Sequence, residues 1–345
     1  MGISGVLAFA LLAVMLSLPV PYAVEGPGPT FNTLGKVQDH RLINIDGEDT
    51  YSSDGQLRLT TVTSAGGPGF PVNAGSVIRG WLSPDMLVQP AEAVFGPDLT
   101  EAERQHMTTV QMTSSQRNAT AAALTALGYK VPATMTIVGA YPQYDAADVV
   151  QEGDVITGLK TDDGEHELSS YTQLAAVLAD TEPDSTVTLQ VERDGEAKSL
   201  QIRTSQNPHG GSVLGVALDV QFDFPVDVDI EIDNVGGPSA GTMFALGIMD
   251  LLTPGSMTGG HVVAGTGTIT PDGQVGPIGG ITLKMKGAVR DGAEYFLAPA
   301  SNCSQVAGHV PEGLQVIRIE TLKQAHDAVR AIAKGNAEDL PGCAG

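Results

Sequence analysis

The sequence predicts an α+β protein of two folded units behind an N-terminal membrane-crossing helix. Three observations carry this expectation. At 345 residues the chain exceeds the ~250 at which single hydrophobic cores stop growing. No side chain from residue 3 to residue 24 is charged. The texture of the remainder changes twice, from mixed helix and strand over 40–125 to short strands over 126–205, and then to a strand, a glycine-rich turn and a helix within 206–340.

Taken in order, the uncharged block 3–24 is ~33 Å long as a helix, enough to cross a hydrocarbon core. Its best small-x-small cleavage site, Pro21-Tyr22-Ala23, is poor, which favours an uncleaved anchor over residues 1–24 rather than a signal peptide. The expected location is the cell membrane, crossed once, with the folded region outside the cytoplasm. The first cations, Lys36 and Arg41, follow the segment and lean weakly the other way. Residues 25–39, opening with Glu25-Gly-Pro-Gly-Pro-Thr30, read as a stiff linker, with folded structure starting near His40. Residues 55–62 alternate as a half-buried strand does, and 100–127 read as a helix with Glu101 and Glu103 in its first turn.

In the middle, strands are expected at 134–138, 154–159, 186–192 and 199–203, with a helix at 171–179. The run Val149-Val-Gln-Glu-Gly-Asp-Val-Ile156, then Asp163-Gly164, a helix, and Val187-Thr-Leu-Gln-Val-Glu-Arg-Asp-Gly195 resembles a PDZ domain of the bacterial kind. The resemblance implies a groove for an extended peptide. Its carboxylate-binding loop is expected near Gly128 and Tyr129. Further on, Phe222-Asp-Phe-Pro-Val-Asp-Val-Asp-Ile-Glu-Ile-Asp233 alternates apolar and acidic residues as one strand with a solvated face.

Composition excludes several classes. A net charge of −22 with scattered cations argues against nucleic acid as a partner. The two cysteines, Cys303 and Cys343, have no metal-ligand spacing, so no zinc site is expected, and no cofactor. Outside the cytoplasm they permit one disulfide; inside it they read as two buried thiols.

The chemistry concentrates at Gly236-Gly-Pro-Ser-Ala-Gly241, followed by an apolar helical run over 242–252. A serine where the chain turns sharply into a helix is exposed, and nearby N–H groups can stabilise an oxyanion. Gly237, Pro238 and Ala240 then flank the substrate. A phosphate-cradling turn or an N-cap would use the same residues, but the next basic residue after Ser239 is Lys284, and no Gly-x-x-x-x-Gly-Lys-Ser/Thr motif occurs, so no ATP requirement is expected. Gly-x-Ser-x-Gly also fits the nucleophile elbow of α/β-hydrolases, with His209-Gly-Gly-Ser212 as oxyanion loop and His261, His309 or His326 as base. That loop lies only 30 residues before the serine, and no repeated βα pattern precedes it.

The runs Ala264-Gly-Thr-Gly-Thr-Ile-Thr270, Gly273-Gln-Val-Gly-Pro-Ile-Gly-Gly280 and Ile281-Thr-Leu-Lys-Met-Lys-Gly-Ala288 resemble the proteolytic domain of Lon peptidases, where a Pro-Ser-Ala-Gly serine is paired with a lysine four residues after a Pro-Ile-Gly-Gly turn. The resemblance spans about 226–302. With the N-terminal block, Pro27-Gly-Pro-Thr-Phe-Asn-Thr-Leu-Gly35 and the PDZ-like module, the whole chain is similar to the PDZ-containing, YlbL-type Lon-like proteases of Gram-positive bacteria. It implies Ser239 as nucleophile, Lys284 as general base and Thr266 as the residue orienting the lysine. Without an ATP motif to drive unfolding, the expected substrates are proteins already unfolded, or membrane-adjacent segments within reach of the anchor. The resemblance further implies a hexameric homo-oligomer, and a module inserted into or preceding the peptidase domain, with insertion favoured because 40–125 has no obvious core of its own. Helical spacing puts Lys284 on the packed face with Ile281 and Ala288, and Lys286 on the solvated one beside Arg290. Two positions depart from the pattern: Gly236 and Thr268 stand where Lon enzymes usually carry Asp and Glu. A non-enzymatic membrane scaffold is the remaining alternative, and the presence of Ser239, Lys284 and Thr266 argues against it.

Overall fold

The computed structural model describes residues 2–37, 39–67, 69–96, 100–207 and 210–343. The chain forms two compact units, one of Met1–Ala123 with Val228–Gly345 and the other of Leu124–Asp227. Its first helix, α1 (Gly2–Ser17), is 16 residues long, ~24 Å against a hydrocarbon core of ~30 Å. No helix among the described residues is long and apolar enough to cross a membrane. The spanning helix expected over 1–24 is therefore corrected. Leu18-Pro19-Val20-Pro21 ends α1, because proline removes a helical donor and pushes its predecessor toward extended backbone. Pro19–Val20 pairs with Val72–Asn73, and β1 (Tyr22–Asn32) follows with Ala23 fully buried.

The expected linker over 25–39 is corrected by the same strand. β1 runs straight through Gly-Pro-Gly-Pro, antiparallel to β2 (Gln56–Ala65), with a register shift between Pro27 and Thr30 that takes up residues unable to complete the ladder. Beyond it, α2 (Ala74–Leu82) starts at Asn73, whose side chain accepts from Ser76 N, and β3 (Leu87–Pro90) pairs with the other edge of β1. α3 (Glu101–Ala126) opens on a reciprocal cap, Thr100 donating to Glu103 and Glu103 N donating back to Thr100 Oγ1.

The second unit holds β4 (Ala133–Ala140), β5 (Val155–Thr161), α4 (Tyr171–Asp180), β6 (Thr186–Arg193), β7 (Glu196–Arg203) and β8 (Val216–Phe222). Its sheet runs β7-β6-β5-β4-β8, with 164–167 pairing β5. Met135, Ile137, Ile156, Leu159, Leu189 and Ile202 form the core beneath α4 with Leu174. The single strand expected over 222–233 is two: β8 ends at Phe222, and after Pro225 the segment Asp227–Ile230 pairs with Ile43–Asp46.

The chain then supplies α5 (Gly241–Leu251), β9 (Val262–Gly265), α6 (Ile281–Arg290), β10 (Tyr295–Pro299), β11 (Gln315–Ile319) and α7 (Leu322–Ala333). The main sheet of the first unit runs β11-β10-β9-β2-β1-β3, parallel from β11 to β2 and antiparallel beyond. The expected α+β class is thus corrected to mixed α/β, because β9, α6 and β10 form a parallel crossover rather than segregated strands and helices. All of α5 is buried, which suits its all-round apolar sequence. On α6, Ile281, Met285 and Ala288 pack with Ala264 and Phe296 of the sheet.

Cys303 and Cys343 are bonded, closing a loop of 40 residues in sequence separation and holding the C-terminal segment on this core. Reduction, or Cys303→Ser with Cys343→Ser, is expected to lower unfolding free energy by about 2–4 kcal/mol in the chain-entropy view. Urea titrations of oxidised and reduced protein, with non-reducing mass spectrometry of native material, measure it; equal midpoints would show that the bond adds no stability.

Candidate active site

Ser239 sits in the turn that leads into α5. Gly237 has φ +87°, a left-handed conformation that a side chain would strain. The turn is held from behind by α3: Gly237 N donates to Thr108 O at 3.1 Å, and Ser115 Oγ donates to Pro238 O at 3.0 Å. This close approach leaves no room for side chains on the contact. A Cβ at Gly236 would lie 2.8 Å from Thr108 Cβ, and one at Gly241 would lie 3.0 Å from Ser115 Oγ. A glycine at 236 is therefore what lets α3 dock on this turn. The first-turn N–H groups of α5 give the turn the positive end of a buried helix.

Opposite the serine stands Lys284 on α6. Gly280 caps that helix with φ +68°, and a Cβ there would meet Val62 Cγ1 at 2.8 Å, so glycine is required by conformation and by space. One turn on, Lys284 Nζ lies 2.8 Å from Ser239 Oγ and 3.0 Å from Thr266 Oγ1, with 2% of the residue exposed. Thr266, fully buried, donates its own hydroxyl to Ser239 O at 3.0 Å. Its oxygen is thereby turned as an acceptor toward the amine. Burial pushes the Lys284 ammonium from 10.5 down to about 7. Lys286 is different: it is partly exposed and pairs with Asp85 at 3.0 Å.

Ser239 lies between two cavities. The larger, about 910 Å³, is lined by Lys284, Gly237, Pro238 and Ala240, by Pro29 and Phe31 of β1 and by residues 59–64 of β2. β2 pairs with β9 only as far as Leu59, so along residues 61–64 its edge on that side is turned to the cavity rather than to a neighbouring strand. The smaller, about 350 Å³, is lined by Pro238, Ser239, Thr268, Pro277, Ile278 and Gly279. An extended chain laid through both would pass its backbone over the serine.

The structure thus brings together Ser239, Lys284, Thr266, Gly237, Pro238 and Ala240. It does not bring Gly128 and Tyr129 to a groove, which corrects that placement. Gly128, at φ +89°, ends α3, with Tyr129 N donating to Leu124 O at 3.0 Å. The groove of the second unit, about 230 Å³, lies between α4 and β8 and is closed by residues 213–215. None of His261, His309 and His326 lines either cavity at Ser239. His261 pairs with Glu294 at 2.9 Å, His309 is exposed, and His326 stands on α7. His209 of the suggested oxyanion loop falls outside the described residues, and Ser212 Oγ donates to Leu178 O in the second unit. Sequence reasoning missed Thr108 and Ser115 behind the serine turn and all of β1 in the cavity wall. For β1 a signal existed, the paired prolines at 19 and 21.

Comparison with known proteins places one segment. The family described as the Lon protease (S16) C-terminal proteolytic domain matches residues 227–332. Lon protease 2 of Bacillus subtilis is 33% identical over 110 residues, 30% of this chain and 19% of that protein. Lon protease of Azospirillum brasilense is 35% identical over 101 residues, 28% and 12% of the two chains. The chain spans a fifth or less of the length of these relatives. Among solved structures, the PDZ domain of an SdrC-like protein from Listeria monocytogenes is 18% identical, covers 24% of this chain and 85% of its own, and has a TM-score of 0.22. Residues 227–332 are thus similar to the Lon-type proteolytic domain, and Ser239, Thr266 and Lys284 all lie within the matched segment.

The buried amine makes a stability prediction. The folded chain holds Lys284 near 7 against 10.5, so between those values the unfolded chain binds more protons and stability rises with pH; below about 7 the penalty is complete. Lys284→Met is expected to be more stable than wild type at pH 6.5 by on the order of 2–4 kcal/mol, a gap that narrows by pH 10. Urea midpoints at the two pH values measure it, and a constant gap would contradict a depressed amine.

Proposed function

We propose that this chain is a serine endopeptidase that cleaves unfolded proteins without nucleotide, using Ser239 as nucleophile and Lys284 as general base. The observation that carries the reading is the buried Lys284 amine at 2.8 Å from Ser239 Oγ, both lining a cavity of about 910 Å³. At pH 7.4 an ordinary lysine is neutral in about one molecule in a thousand. One with its ionisation near 7 is neutral in more than half.

In the neutral state an Nζ–H donates to Thr266 Oγ1, and the nitrogen lone pair is left to accept the Ser239 proton. Oγ attacks the scissile carbonyl as its proton passes to Nζ. The oxyanion that forms lies by the N-terminus of α5. The ammonium returns the proton to the leaving amine, giving an acyl-enzyme ester and a free amino terminus. Water, deprotonated by the same amine, then releases the acid and restores Ser239. No carboxylate takes part, so Gly236 and Thr268 remove nothing from these steps.

The second unit supports a role in substrate recognition. β8 is the terminal strand of its sheet and borders the apolar groove beside α4, an arrangement to which an extended peptide can add as a strand. The Cys303–Cys343 bond supports an oxidising, extracytoplasmic location.

Incubation of the purified protein with an unfolded protein such as reduced casein, followed by product sequencing, tests the reading. Ser239→Ala, Lys284→Ala and Lys284→Arg are each expected to lose activity about a thousandfold or more, since a guanidinium does not give up its proton. Thr266→Val is expected to lose about ten- to a hundredfold. Lys286→Ala should stay within a few-fold of wild type. For the wild type, kcat/KM should rise with pH through about 7 and level off above it, as the free amine appears. Full activity in Lys284→Ala, or a requirement for ATP and magnesium, would refute the mechanism.

A further inference from the structure

The lining of the larger cavity holds two groups of different chemistry. One is Ser239 with Lys284, and the other is Glu25 with Ser64 and Gln89. Glu25 projects from β1, half-buried, and each of its carboxylate oxygens has one donor. Ser64 Oγ donates to Oε1 at 2.9 Å, and Gln89 Nε2 donates to Oε2 at 3.0 Å. Both donors are neutral, so they orient the carboxylate without neutralising it. No lysine, arginine or histidine among the described residues forms an ion pair with it.

Strand register sets its distance from the chemistry. Val62, which touches the capping Gly280 of the lysine helix, pairs with Pro27, and Ser64 pairs with Glu25. Two residues of strand are about 7 Å. A substrate laid along the free edge of β2 from Ser239 therefore passes Ser64 one to three residues from its scissile bond, with Glu25 one strand further across the same cavity, where a long side chain can reach it. With Lys284 neutral in its working state, the charges left in the cavity are the carboxylates of Glu25 and Asp233. A walled cleft of one sign focuses its field on the opposite one.

We infer that Glu25 is a specificity determinant that selects a lysine or arginine side chain of the substrate close to the scissile bond. The inference rests on the peptidase reading of Ser239 and Lys284. The carboxylate already carries two oriented donors, so an incoming cation completes its shell with a charge-assisted hydrogen bond, while an acidic side chain meets like charge and an apolar one leaves the pair unmade.

The test uses the full chain and a set of peptides that share one cleavable bond. Each of four positions on either side of that bond carries in turn lysine, norleucine or glutamate. Wild type is expected to prefer lysine over norleucine at one position by about tenfold in kcat/KM and to disfavour glutamate there. Glu25→Gln is expected to bring the lysine-to-norleucine ratio within about twofold, and Glu25→Lys to favour glutamate. Cleavage of the norleucine peptides with no lysine preference at any position, or a preference that survives Glu25→Gln, overturns the assignment and leaves the peptidase reading standing. Cleavage of no peptide above the level of Ser239→Ala overturns the peptidase reading and the inference with it. The first comparison changes only the substrate, so it decides whether or not the Glu25 variants fold.

Discussion

A lysine amine kept from water is the condition to which the rest of the first unit is fitted. Among the described residues the hydrogen-bond partners of Lys284 Nζ are two hydroxyls, and burial accounts for its lowered ionisation. A carboxylate within reach would favour the ammonium and undo that shift. Gly236 and Thr268, beside the serine, bring no acid to the site. The amine is dry because α6 lies flat on β1 and β2, and that packing is anchored at the helix end. Arg290 donates to Gly28 O at 2.8 Å, and Asp291 accepts from Thr30 Oγ1 at 2.9 Å. The bulge of β1 is the seat on which the lysine helix rests.

The site was legible in the sequence where chemistry is local. Ser239, Thr266 and Lys284 each lie in a run of glycines and small residues whose spacing is set by a turn, and turns are written in neighbouring residues. The choice between Lys284 and Lys286 was legible for the same reason, because α6 buries one face and exposes the other. What pairs with what across a sheet leaves no such trace. Gly26 to Thr30 has the composition of a linker, and nothing within it says that β2 waits alongside. Thr108 and Ser115 sit on a polar, glycine-free helix whose role depends on a turn more than a hundred residues away.

The errors at the N-terminus and in the second unit share a cause. An uncharged stretch is as compatible with a helix followed by a buried strand as with one long helix, and the prolines at 19 and 21 decide between them. Gly128 was read for a ligand loop when its left-handed backbone ends a helix. The apolar groove lies instead under residues 213–215, past the last strand expected in that unit. The parallel half of the main sheet was missed because β9 is only four residues long, too short to carry a periodic signal.

The discontinuity of the first unit governs when the protein can act. Its central strand β2 is made early, but the neighbours β9, β10 and β11 lie some two hundred residues later in synthesis, after the second unit has been completed. Contacts of such sequence separation form late, because closing the intervening loop costs entropy that only the finished sheet returns. The wall of the cleft and the nucleophile are consequently strangers until almost the whole chain has left the ribosome. A nascent fragment that stops short of α6 carries Ser239 without Lys284 beside it, so the topology itself postpones the meeting of the two until the later part of the first unit has been made.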